Sequence, residues 1–129
     1  GLQKFKKLRH GDEYSFSTDD SAPANPGTVL DDLITEGAAY GIHVIVTIDT
    51  LNNINRAISR KTQSEFEMRV LFQMSANDSA SLIDSPKAGQ LGLHRAIYYN
   101  EQEGHLETFR PYALPEAGWI AEAGERLKA

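Results

Sequence analysis

The chain of 129 residues has no cysteine, which excludes disulfides, thiol nucleophiles and cysteine-ligated metals and fits a reducing, cytoplasmic setting. It also lacks any apolar run approaching the roughly 20 residues that a membrane-spanning helix needs. The apolar stretch Val44 to Val46 is flanked by polar groups, and the opening residues do not resemble a signal peptide. Positive charge is scarce as well: 13 Lys and Arg stand against 18 Asp and Glu, for a net charge of -5. That balance argues against a general nucleic-acid clamp, which neutralises phosphates with clustered cations, and leaves room only for a local basic patch. No Gly-x-x-x-x-Gly-Lys-Ser/Thr loop is present, so these residues carry no principal phosphate cradle. The four histidines, His10, His43, His94 and His105, have no spacing that sets two imidazoles on one ion, so no metal site is expected. No Gly-x-Ser-x-Gly elbow surrounds Ser75 to Ser79, which reads as a helix start.

What remains suits one α/β domain, with 40% hydrophobic residues. Leu2, Phe5 and Leu8 recur three apart among Lys4, Lys6, Lys7 and Arg9, predicting a short amphipathic helix with a basic outer face. Residues 11–26, rich in Asp, Ser, Gly and Pro, read as a flexible loop. Pro26 starts a helix whose apolar positions are Val29, Leu30, Leu33, Ile34 and Ala38, and Gly41 stops it.

Ile42 to Ile48 follows as a nearly continuous apolar run, the pattern of a strand buried on both faces of a parallel sheet. Thr47, Asp49 and Thr50 lie at or near its carboxyl end, the edge where open α/β sheets gather ligands; Asp49 equally suits capping the next helix, which runs from Leu51 with Ile54 and Ile58 on its apolar stripe. A second strand centres on Arg69 to Gln73, a helix capped by Ser75 or Asp78 runs through Ile83, and Gly104 turns a terminal hairpin between residues 95–99 and 106–110. The two strands at 42–48 and 69–73, joined by helical crossovers, make a mainly parallel sheet the expectation. Arg69 heads an apolar strand and needs a partner, with Glu65 and Glu67 at hand. Arg95 and Arg110 are expected to pair with Glu101, Glu103 or Glu107. Beyond Pro115, Trp119 and Ile120 are the expected anchors.

Several of these segments together resemble the carboxyl-terminal half of the motor domain in FtsK/SpoIIIE-type DNA translocases, of the FtsK/HerA branch of P-loop ATPases. A Gly-Ile-His turn leads into a hydrophobic strand in that family, as in Tyr40-Gly41-Ile42-His43-Val44-Ile45-Val46. The family's Thr-Arg-Ile-Ala-Phe strand is similar to Met68-Arg69-Val70-Leu71-Phe72, and its Ser-x-x-Asp-Ser helix start to Ser75-Ala76-Asn77-Asp78-Ser79. Two segments depart from the pattern. Where the family has Ala-Thr-Gln-Arg-Pro this chain has Thr47-Ile48-Asp49-Thr50-Leu51, and a carboxylate there repels the γ-phosphate charge that a neutral amide tolerates. Where it has Leu-Leu-Gly-x-Gly-Asp, the chain has Gln90-Leu91-Gly92-Leu93-His94-Arg95, losing the second glycine and the acid.

The resemblance implies a partial RecA-like P-loop NTPase fold, with residues 1–129 as the carboxyl-terminal part of the motor and both Walker motifs ahead of residue 1. It implies a parent that forms a homo-oligomeric ring, uses ATP and Mg, and moves double-stranded DNA in chromosome segregation or transfer. This part alone, without the P-loop, is expected to be inactive, not to insert in a membrane, and to self-associate through an uncovered sheet edge. Carried onto the present residues, Asp49 and Arg69 become the catalytic candidates, with Arg69 able to reach a neighbouring subunit's γ-phosphate. Thr47, Asp49 and Thr50 become the nucleotide-facing set, and Arg56 and Arg60 the DNA-facing one. The alternatives are a type VII secretion-like ATPase that moves protein and a non-catalytic α/β interaction module.

Overall fold

The computed structural model describes residues 1–8 and 25–128. Most of the loop expected at 11–26, and His10, therefore lie outside the described residues. The chain divides into two compact units, Gly1–Met68 and Arg69–Ala129. It is α/β in class, with five α-helices and one three-stranded sheet among the described residues.

In the first unit, Leu2–Lys4 and Lys6–Leu8 form two short 3-10 turns where a continuous amphipathic helix was expected. Helix α1 spans Pro26–Glu36; the Asn25 side chain accepts from the Gly27 amide, and proline occupies the first turn, where its missing N–H costs nothing. A 3-10 turn, Gly37–Tyr40, extends it to Gly41, whose φ of 73° is the left-handed stop that glycine adopts without strain. Helices α2, Leu51–Ala57, and α3, Arg60–Ser64, follow, capped by the hydroxyls of Thr50 and Ser59. Ala57, Ile58 and Thr62 are buried.

Between Gly41 and Thr50 the expected parallel strand does not form. Residues 42–48 are extended but pair with no strand among the described residues; the Leu2 amide donates to the Thr47 carbonyl at 2.8 Å. Burial alternates: Val44, Val46 and Ile48 are half-buried while His43, Ile45 and Thr47 are exposed, with Ile45 at 92%. A buried strand requires ladder partners on its edges and cover on both faces, and apolar composition alone supplies neither.

The second unit carries the sheet. Strand β1 spans Met68–Leu71, β2 Ala96–Asn100 and β3 His105–Phe109, in spatial order β1-β2-β3. The expected terminal hairpin is present: β2 pairs antiparallel with β3 from Ala96 opposite Phe109 to Asn100 opposite His105, and Gly104 turns the chain at φ 59°. Helix α4, Ala76–Ile83, begins where Ser75 accepts from the Asp78 amide, the capping choice left open by the sequence. A 3-10 turn, Pro86–Gln90, lies against α4, and Gly89 permits the approach: a Cβ there would stand 3.1 Å from the Ala76 nitrogen. Leu71, Ile83, Ala88, Leu91 and Ile97 form the buried core of this unit. Helix α5, Ala117–Leu127, buries no residue, and Trp119 and Ile120 are 63% and 55% exposed. They do not anchor the segment, because within the described residues no element closes over their face.

Candidate functional site

The polar residues expected at the sheet's ligand edge gather at the junction of the extended segment and α2. Thr50 turns its hydroxyl to the Asn53 amide at 3.3 Å and so caps α2. Asp49 accepts from the Asn53 side-chain amide at 2.7 Å, one helical turn away. That hydrogen bond foremost, with further bonds from its own and the Thr50 backbone and from Gln3, holds the Asp49 carboxyl below its ordinary range against a smaller opposing effect of burial. The Gln3 Oε1 atom is buried and has no hydrogen-bond partner among the described residues. Thr47 lies two residues back, exposed, with its carbonyl engaged by Leu2. Thr47, Asp49 and Thr50 thus share one short stretch of surface, with the Asp49 carboxyl hydrogen-bonded to Asn53.

Arg56 at the end of α2 and Arg60 at the start of α3 are both exposed, and among the described residues neither enters an ion pair. They are free to meet an anionic surface, but lie on separate short helices.

Arg69 sits on β1 with its side chain 22% exposed. One guanidinium nitrogen donates to the Leu82 carbonyl, among the last turn of α4 where carbonyls lack intrahelical donors, and the other meets Glu101 at 3.1 Å. The Tyr99 ring lies 6.0 Å below it. Arg69 therefore ties β1 to the end of α4 and to the hairpin turn within its own unit.

The hairpin arginines do not make the expected pairs. Glu101 is taken by Arg69 and Glu107 by His105 at 3.2 Å, while Arg95 and Arg110 have no ion pair among the described residues. Both line an open groove of about 560 Å³ at the open end of the hairpin, with Phe72, His94 and Tyr112. The sequence marked these arginines only as hairpin neighbours of acids, and both lie just outside the paired register. Among the described residues no group of three or more His, Asp or Glu is arranged to hold a metal ion, and no helix is long and apolar enough to cross a membrane.

No protein-family model matches the chain, and neither a curated protein nor a solved structure is significantly similar to it.

Proposed function

We propose that this chain is the carboxyl-terminal portion of an ATP-driven double-stranded DNA translocase of the FtsK/SpoIIIE type, a partial RecA-like P-loop fold whose remaining strands and Walker motifs belong to a larger polypeptide. The observation that carries the reading is the segment 42–48: it has the composition of a central strand, lies extended with no strand paired to it among the described residues, and ends in Asp49 and Thr50 at the start of a helix. Apolar strand material is stable in such a state only when other strands complete the sheet. Met68, Val70 and Phe72, which alternate along β1 and its continuation and are 67%, 53% and 60% exposed, add a second apolar stripe awaiting cover.

In this reading Thr47, Asp49 and Thr50 face the nucleotide, Arg56 and Arg60 face DNA, and Arg69 stabilises charge on the transferred phosphoryl group. ATP and Mg would be held by the upstream P-loop and Walker B carboxylate; the present residues supply orientation and charge around them. The setting is a cytoplasmic ring of identical subunits.

A second reading draws on different observations. The Asp49 carboxylate is already held by Asn53, and the Arg69 guanidinium by Leu82 and Glu101, so both candidates have internal partners without any nucleotide. That favours a non-catalytic α/β interaction module derived from such a motor. The coding sequence ahead of Gly1 separates the two. A P-loop and an acid-terminated strand within about 200 residues, a domain's length, support the motor; their lack supports the interaction module.

A further inference from the structure

Two arginines held at one end of a hairpin repel unless an anion neutralises them. The last rung of the hairpin pairs Ala96 with Phe109, and Arg95 and Arg110 immediately flank it, one leading into β2 and the other leaving β3. The two guanidinium groups line the same groove, and neither has an acidic partner among the described residues, although the chain carries five more acids than bases. His94 adjoins them with a φ of 58°, a left-handed conformation costly for a residue with a side chain. The walls are largely apolar and include two exposed rings, Tyr112 at 102% and Phe72 at 60%. Two forked cation donors lining one groove of about 560 Å³ together with two aromatic rings match a phosphate group with a planar base attached.

We infer that the groove at the open end of the hairpin is a phosphate-binding site, in which Arg95 and Arg110 clamp one phosphate of a nucleotide unit and Tyr112 and Phe72 flank its base. The phosphate comes either from a free nucleoside triphosphate or from the backbone of single-stranded nucleic acid; the recognition chemistry is common to both. The site rests on the two arginines and the groove they line, and stands whether or not the chain belongs to a motor.

The test uses the full 129-residue chain in two binding assays at low salt: calorimetry with ATP without metal, and anisotropy with a fluorescein-labelled oligothymidylate. Saturable binding of at least one probe is expected, with a drop of tenfold or more in Arg95→Gln and in Arg110→Gln. Tighter ATP binding identifies a nucleotide site, and tighter oligonucleotide binding a backbone site, whose salt dependence should shallow by about one unit of slope per arginine removed. Arg95→Glu reverses one of the two charges and should abolish binding, with an unchanged far-UV circular dichroism spectrum showing that the variant folds. Absence of binding by both probes overturns the inference. So does affinity unchanged in both glutamine variants, or equal affinity for an oligoglutamate peptide.

Discussion

Ser79 is the residue whose removal tests the packing of the second unit most sharply. Its side chain is fully buried, at 0% exposure, between α4 and the 3-10 turn Pro86–Gln90. The hydroxyl donates to the Ser85 carbonyl and accepts from the Ala88 amide at 3.1 Å. Ala88 is also 0% exposed, so Ser79→Ala leaves its N–H without a partner and without access to water, a cost of about 1–3 kcal/mol. The Ser85 carbonyl, only half-buried, recovers part of its loss from solvent and adds about 0.5–1 kcal/mol. The expected destabilisation is therefore about 1.5–4 kcal/mol, a large share of the ~5–15 kcal/mol that holds a typical domain. Urea denaturation measures it, and hydrogen exchange at the Ala88 amide should accelerate in step. Ser81→Ala is the control: that hydroxyl is exposed and bonds back to the Asn77 carbonyl of its own helix, so the change should stay within about 0.5 kcal/mol. If both variants unfold at the same urea concentration as the parent chain, the bridging role of Ser79 is refuted.

Other perturbations address the remaining contacts. Asn53→Ala removes the leading cause of the depressed Asp49 pKa, so the carboxyl's titration followed by NMR should move up toward the ordinary carboxylate range; no movement contradicts the hydrogen bond. By linkage, a carboxyl with a depressed folded-state pKa adds stability that is present above its unfolded pKa and is lost as pH falls through the folded one, so Asn53→Ala should flatten the acid limb of the stability profile. Arg69→Ala should cost more than Glu101→Gln, because the exposed ion pair is worth at most about 1 kcal/mol while the Leu82 carbonyl loses a charge-assisted donor worth about 1.5–3 kcal/mol; equal losses in chemical denaturation contradict that division. Gly89→Ala sets a Cβ 3.1 Å from the Ala76 nitrogen and should destabilise by about 1–3 kcal/mol through overpacking, read as a lower thermal midpoint.

Local signals carried much of the fold. Pro26 and Gly41 bracket a helical apolar stripe, and the chain is helical from one to the other because fixed φ at the start and free φ at the end are properties of those residues alone. Ser75 before a run of small residues and Gly104 between two β-rich segments act in the same local way. Signals that depend on partners misled. The composition of 42–48 states what the segment could pack in, not which strand lies beside it, and Ile45 stands exposed for want of that neighbour. Trp119 and Ile120 suggest anchors by size, yet α5 finds no cover among the described residues. Acids near Arg95 and Arg110 in sequence suggested pairs, whereas both arginines lie just outside the paired register and Glu101 and Glu107 are taken by Arg69 and His105. The polar cluster of Asp49, Thr50 and Asn53 was visible as a cap at the end of an apolar run; the buried Gln3 acceptor beside it, arriving from far along the chain, had no signal in sequence.

The most direct measurement of the translocase reading is ATP hydrolysis, with and without double-stranded DNA, by the polypeptide that joins this chain to the sequence encoded ahead of Gly1. Turnover should rise on adding DNA and fall in Arg69→Ala through kcat more than KM, as expected for a group that stabilises transferred charge. Absence of hydrolysis, or hydrolysis indifferent to both DNA and Arg69, would contradict that reading.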